Sequence, residues 1–256
     1  MSNINCCPMI VSGWILAGYE GRLMTGFEIS HGGRDGHEER IDLASVDDSL
    51  FDATKPVRVA PSYPEQRYFP GLYYAVTCQR LLYFESWLER RHLMLFDRDP
   101  TVVAMSTQPF WLHWRVAGKD RRHVPDVFVR DERGCATVVD VRPRQFVESS
   151  RESFNSTAEA CALVGWNYRI VHEPAPVMMA NVEWIAGYRR PVPVFAEVRG
   201  LLLDAASDGD RLSVVVSRAG GSPVLRATAF HLLWTGELAA DLRSSPLGDH
   251  TFVVAA

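Results

Sequence analysis

Between Thr77 and Phe96 the chain reads TCQRLLYFESWLERRHLMLF, in which Leu81, Phe84, Leu88 and Leu95 recur at helical spacing. This predicts a helix with Glu85, Glu89 and His92 along a second stripe, one turn apart, and Asp99-Pro100 as its stop. VVAMS and QPFWLHWRV follow, rich in β-branched and aromatic residues, and predict strands. VAGKDRR is read as a turn before the strand HVPDVFVR, and DERGC as a second turn before the strand ATVVDVRP. Alternation puts Val124, Asp126, Phe128 and Arg130 on one face of the first of these strands, and Val138, Asp140 and Arg142 on one face of the next. Both acids and Arg142 can therefore point to the same side of a sheet. A polar opening then leads into SSRESFNSTAEACALVG, a predicted helix ending near Gly165, and WNYRIVHE predicts another strand. Helix, three antiparallel strands, helix and strand in this order predict a compact α/β unit.

Outside this segment the pattern changes twice. Residues Ser30 to about Tyr63, with HGGRDGHEER and VRVAPSY, are rich in Gly, Pro and charge and predict an irregular arm over the surface; His31 and His37 within it read as loop residues rather than ligands. Around Pro174 to Pro176 the composition shifts, and MMANVEWIAGYRR, VFAEVRGLLLDAA, DRLSVVVSRAG and VLRATAFHLLWTGELAADL read as mostly helical, with Ser222-Pro223 a cap and first-turn pair and TFVVAA a short strand. The expected division is an N-terminal arm over 1–65, a core over 66–175 and a small helical or winged-helix-like domain over 176–256.

A chain of 256 residues with 47% hydrophobic and 23% charged positions has the composition of a folded globular protein. PMIVSGWILAG is too short to span a bilayer and MSNINCC lacks the positive region of a secretion signal, so no membrane association is expected and the expected location is the cytoplasm. Cys6, Cys7, Cys78, Cys135 and Cys161 show no CxxC spacing, which suits buried or free thiols. The net charge of −4 argues against nonspecific coating of nucleic acid. It leaves room for a local basic face built from Arg115, Lys119, Arg121, Arg122, Arg130, Arg133, Arg142 and Arg144.

Hydrolysing a phosphodiester at neutral pH calls for a water made nucleophilic and for neutralisation of phosphate charge, and divalent metals held by carboxylates supply both. Asp126 and Asp140 on adjoining strand faces, with a helix carboxylate, would make a cradle suited to Mg²⁺. Glu89 is the first choice for the third carboxylate and Glu85, one turn away, the alternative. His123, Trp111, Trp114 and Trp166 read as packing residues, and Ser149, Ser150 and Ser153 have no paired His and Asp at a diagnostic spacing.

The linked run FPGLYYAVT, YFESWLERRHLMLFDRDPTVVAMSTQPFWLHW, HVPDVFVR, VVDVRP and ALVGWNYRIV resembles the TnsA-like endonuclease subunit of heteromeric transposases, a branch of the PD-(D/E)xK nuclease superfamily. The resemblance covers about residues 66 to 175, and YRRP and HLLWTGELAADL are similar to that family's C-terminal region. It implies a restriction-endonuclease-like core, a mixed sheet flanked by helices, in an α/β fold. Glu89 matches the family's helix glutamate, Asp126 the PD aspartate and Asp140 the acidic or amide position two before the lysine; these three are the implied metal ligands, for Mg²⁺ with Mn²⁺ as substitute. Gln108-Pro109-Phe110 matches an element leading into the sheet, with an expected packing role. Arg142 occupies the lysine seat, where it can supply a permanent cation and a forked donor set but cannot lose its proton. The implied activity is nicking of double-stranded DNA at transposon 5′ ends, beside a DDE-type transposase and an ATP-dependent regulator. Arg142 also raises a second reading, a catalytically silent DNA-binding or assembly subunit, and a third is a stand-alone defence nuclease on the same scaffold.

Overall fold

A computed structural model describes residues 25–32, 38–59 and 69–256. Among them the fold is mixed α/β, with six α-helices and strands in four sheets. By contacts the chain divides into two compact units, one of 1–74, 80–92 and 101–173, the other of 75–79, 93–100 and 174–256.

The first unit is built on two four-stranded sheets. One runs in the order β2 (Glu38–Asp42), β1 (Thr25–Gly32), β6 (Trp111–Val116), β7 (Lys119–His123). The other runs β10 (Asn167–Val171), β9 (Ala136–Val141), β8 (Val127–Asp131), β5 (Val102–Thr107). β5, β8 and β9 are antiparallel neighbours, whereas β9 and β10 are parallel and are joined through the crossover helix α2 (Arg151–Leu163). β9 is buried on both faces, which is why it reads as the nearly unbroken apolar run ATVVDV.

Between the sheets lies a core of Phe27, Ile29, Phe51, Phe110, Leu112, Trp114, Phe128, Val138 and Trp166, closed by Ala160 and Cys161 of α2. Phe51 sits at its centre, fully buried, with the rings of Phe110 and Phe128 at 4.8 and 5.5 Å. This corrects the expected irregular arm. Residues 25–32 and 38–42 are strands and Phe51 is core, because the alternation FEIS supplies an apolar face that the Gly-rich stretch beside it obscures. His31 packs edge-on to Phe51, while His37, Cys6 and Cys7 lie outside the described residues. Cys78 and Cys161 are free thiols; Cys135, half-buried in the β8–β9 turn, is disulfide-bonded, so the expectation of reduced thiols does not hold for it.

Two further expectations need correction. The helix predicted from Thr77 begins only at Trp87: residues 71–75 and 80–84 form a hairpin, β3 and β4, and the helix α1 runs Trp87–Arg98. Leu82 and Phe84 are buried and Leu81 exposed, a period of two that overrides the helical spacing of Leu81 and Phe84. Likewise KDRRH is not a turn but strand β7. The turn is Ala117-Gly118 alone, both at positive φ (50° and 74°), the conformation a two-residue hairpin loop requires.

In the second unit, helices α3 (Pro176–Ile185), α4 (Pro193–Ala205), α5 (Leu212–Arg218) and α6 (Pro223–Thr235) accompany a three-stranded antiparallel sheet of β11 (Asp210–Arg211), β13 (Phe252–Ala255) and β12 (Leu238–Ala240). Three of the four helices start on proline, whose fixed φ suits the first helical position. Ser222 caps α6 by accepting the Leu225 N–H, and Gly236 ends it in the left-handed conformation. The residues after Gly236 form β12 rather than extending the helix. Among the described residues no helix is long and apolar enough to cross a membrane.

Candidate functional site

Asp126 lies one residue before β8, and its backbone carbonyl accepts the Gln108 N–H (3.0 Å) while its own N–H donates to Val139 O (3.1 Å). The β8–β9 register pairs Val127 with Val139, so continuing it brings Asp126 opposite Asp140 on the face shared by Phe128 and Val138. Directly opposed residues of an antiparallel pair lie side by side. Asp126 Oδ2 also accepts the Val141 N–H at 2.7 Å, so a side chain replaces the backbone as partner where the β8 ladder stops.

Asp140 is buried and heavily engaged. His123 Nε2 lies 2.8 Å from Oδ1 and 3.0 Å from Oδ2, and the Tyr168 hydroxyl donates to Oδ2 at 2.5 Å. A carboxylate can only accept, so Nε2 carries the proton of that imidazole. His123 is thus a partner of the predicted acid and not an edge-packing residue. Tyr168 completes the arrangement, and burial followed by the charge of Asp140 holds its phenol well above the usual range.

Glu89 is buried in the first turn of α1. Its Oε2 accepts the Glu85 N–H (2.8 Å), its Oε1 accepts the Ser86 hydroxyl (2.9 Å), and its own N–H donates to Ser86 Oγ (3.2 Å). This is a capping box, legible as Ser86-x-x-Glu89. Glu85, the alternative third carboxylate, precedes the helix and pairs with Arg58 at 3.1 Å. Of the two, Glu89 is the one whose charge acts on Asp126.

The electrostatics tie the three acids together. Burial, then the charges of Asp140 and Glu89, hold Asp126 well above the usual carboxylate range; burial, and less strongly Glu85, raise Glu89. In both cases the opposing cation is Arg58. Arg142 takes another course. Its exposed guanidinium donates to Ser150 Oγ at 2.7 Å, just ahead of α2.

Among the described residues no three His, Cys, Asp or Glu side chains are gathered in ligand geometry. The donor set nonetheless suits a hard cation, since it is all carboxylate, two members are raised by burial and like charge, and Asp126 Oδ1 accepts no hydrogen bond from a described residue.

Gln108, expected to be a packing residue, is fully buried at φ 42° with both side-chain amide atoms unpaired. Three of the eight basic residues are ion-paired, Arg115 with Asp120, Arg121 with Glu152, and Arg130 with Asp48 and Asp52, while Arg122 stacks on Trp111. Trp114 and Trp166 are core, as expected. No protein-family model matches the chain, and no curated protein is similar enough to it to count as a relative.

Proposed function

We propose that the chain is a metal-dependent DNA endonuclease subunit of a heteromeric transposase, related to the TnsA-like nucleases, with a restriction-endonuclease-like core and a winged-helix-like C-terminal module that engages a DDE-type transposase and an ATP-dependent regulator. The observation that carries the reading is the buried Asp126 at the end of a mixed sheet, within reach of the charges of Asp140 on β9 and Glu89 on α1. Buried like charges cost free energy that a structural role alone does not require, and they recur where a cation or a reaction offsets the cost.

Asp126 would hold the cation through its open Oδ1, with Glu89 and Asp140 as the other ligands; Mg²⁺ bound there supplies a water of lowered pKa and neutralises phosphate charge. The chain's own contribution is orientation. Val141 N–H fixes the Asp126 carboxylate, Ser86 and the Glu85 N–H fix Glu89, and His123 and Tyr168 fix Asp140. The test is nicking of double-stranded DNA carrying candidate element ends, in Mg²⁺ or Mn²⁺ with the partner proteins present. Equal activity in an Asp126→Ala, Asp140→Ala double variant would falsify the assigned site.

The second reading, a catalytically silent assembly subunit, draws on the Arg142 contact with Ser150 and on the engagement of both Asp140 oxygens by His123 and Tyr168. Under it the protein binds DNA without cutting in any metal, and Arg142→Lys restores cutting. Cleavage by the wild type removes this alternative.

A further inference from the structure

We propose that Arg58 forms the phosphate-binding corner of the carboxylate site, so that the cation facing the scissile phosphodiester comes from the loop after Phe51 rather than from residue 142. The inference rests on the nuclease reading above for its substrate. Its geometry is its own.

Arg58 is held from two directions. One residue earlier, the Val57 N–H donates to Gln108 O at 2.9 Å, and the Gln108 N–H donates to Asp126 O at 3.0 Å, so the loop is one residue removed from the PD aspartate. On the other side the guanidinium Nη2 pairs with Glu85 Oε2 at 3.1 Å, and the Glu85 N–H caps the Glu89 carboxylate at 2.8 Å. The residue thus joins both halves of the acid cluster. Its charge lowers the pKa of Asp126 and of Glu89 against the burial that raises them.

The pairing with Glu85 uses one nitrogen of a group with five N–H donors, and 42% of the Arg58 side chain is exposed. Its remaining donors have no partner among the described residues and match the fork geometry of a phosphate. Gln108, whose carbonyl anchors this loop, is fully buried at φ 42°.

The experiment uses the full chain and two readouts. The first is equilibrium binding of a double-stranded oligonucleotide in Ca²⁺, as a function of salt. Arg58→Ala is expected to weaken binding and to reduce the salt slope by about 0.9, one phosphate contact. Arg58→Lys restores the slope, and Arg40→Ala, whose exposed side chain pairs with Glu28 of β1, changes neither. The second is cleavage in Mg²⁺, where Arg58→Ala is expected to lower kcat/KM about a hundredfold, and Arg58→Lys to recover part of it. A wild type that binds but does not cut removes the nuclease reading and leaves the binding result to decide Arg58. A wild type that binds no DNA, an Arg58→Ala variant with unchanged affinity and slope, or a cleavage loss that falls on Arg142→Ala while Arg58→Ala cuts normally, each overturns the proposal.

Discussion

The imidazole of His123 on β7 bridges both oxygens of Asp140 on β9, at 2.8 and 3.0 Å, and so links one sheet to the other through a buried carboxylate. With Tyr168 on the far side, donors replace the water that the buried Asp140 carboxyl gave up. His123→Ala should cost roughly 2–3 kcal/mol, since it leaves a buried carboxylate one donor short. Tyr168→Phe should cost about 1–2 kcal/mol for the same reason. Urea unfolding of both single variants and the double variant measures the coupling; fully additive losses would show that the two donors do not share Asp140.

Glu89 is both helix cap and candidate ligand, and the two roles separate by substitution. Glu89→Gln keeps an oxygen for the Glu85 N–H and should cost well under about 1 kcal/mol, whereas Glu89→Ala loses the capping box and should cost about 1–2 kcal/mol. Cleavage should fall more than about a hundredfold in both. If Glu89→Gln cuts like the wild type, Glu89 is a cap and nothing else.

Asp126 and Glu89 have raised folded pKa values, so their contribution to stability is greatest below the unfolded carboxyl pKa of about 4 and is lost as pH rises through the folded values. Without divalent metal, thermal unfolding should therefore occur at lower temperature near pH 8 than near pH 5. Asp126→Asn should flatten this dependence and stabilise the protein at neutral pH by roughly 1 kcal/mol, about 2–4 °C in Tm. Mg²⁺ should raise the Tm of the wild type and not that of Asp126→Asn. A metal shift of equal size in both proteins would move the binding site elsewhere.

Gln108 carries two buried polar atoms without partners. Gln108→Leu keeps the volume and removes them, so it should raise stability by about 1–3 kcal/mol while lowering DNA affinity or cleavage. Denaturant unfolding beside a binding assay reads both. Lower stability with unchanged function would mean that the amide serves the fold.

Much of the central unit is legible in the chain. VVAMS, ATVVDV and NYRIV read as strands and become β5, β9 and β10, because β-branched runs bounded by turn residues have few other ways to bury themselves. Asp126 lies one residue before β8, beside the end of β9 that carries Asp140, with Val141 N–H bonded to its Oδ2. The contacts that complete the site are less accessible: Arg58 reaches Glu85 across 27 residues and Tyr168 reaches Asp140 across 28. Periodicity identifies a face but not a partner, and a loop arginine has no period at all. The Ser86-x-x-Glu89 box was open to reading and would have moved the predicted helix start from Thr77 to its true place after Ser86. Gln108 gave no signal, since neither its φ nor its missing partners follow from residue type.

Strand β1 lies between β2 and β6, and Phe51 fills the centre of the core, so the described residues of 25–59 form an interior wall. A fragment beginning at residue 66, the boundary that motif similarity suggests, would strip one full edge of β6 of its hydrogen-bond partners and uncover Phe110 and Phe128. Such an edge invites pairing with other molecules. A fragment that keeps this unit intact therefore has to start at or before Thr25, and a truncation guided by sequence likeness alone exposes a sheet edge.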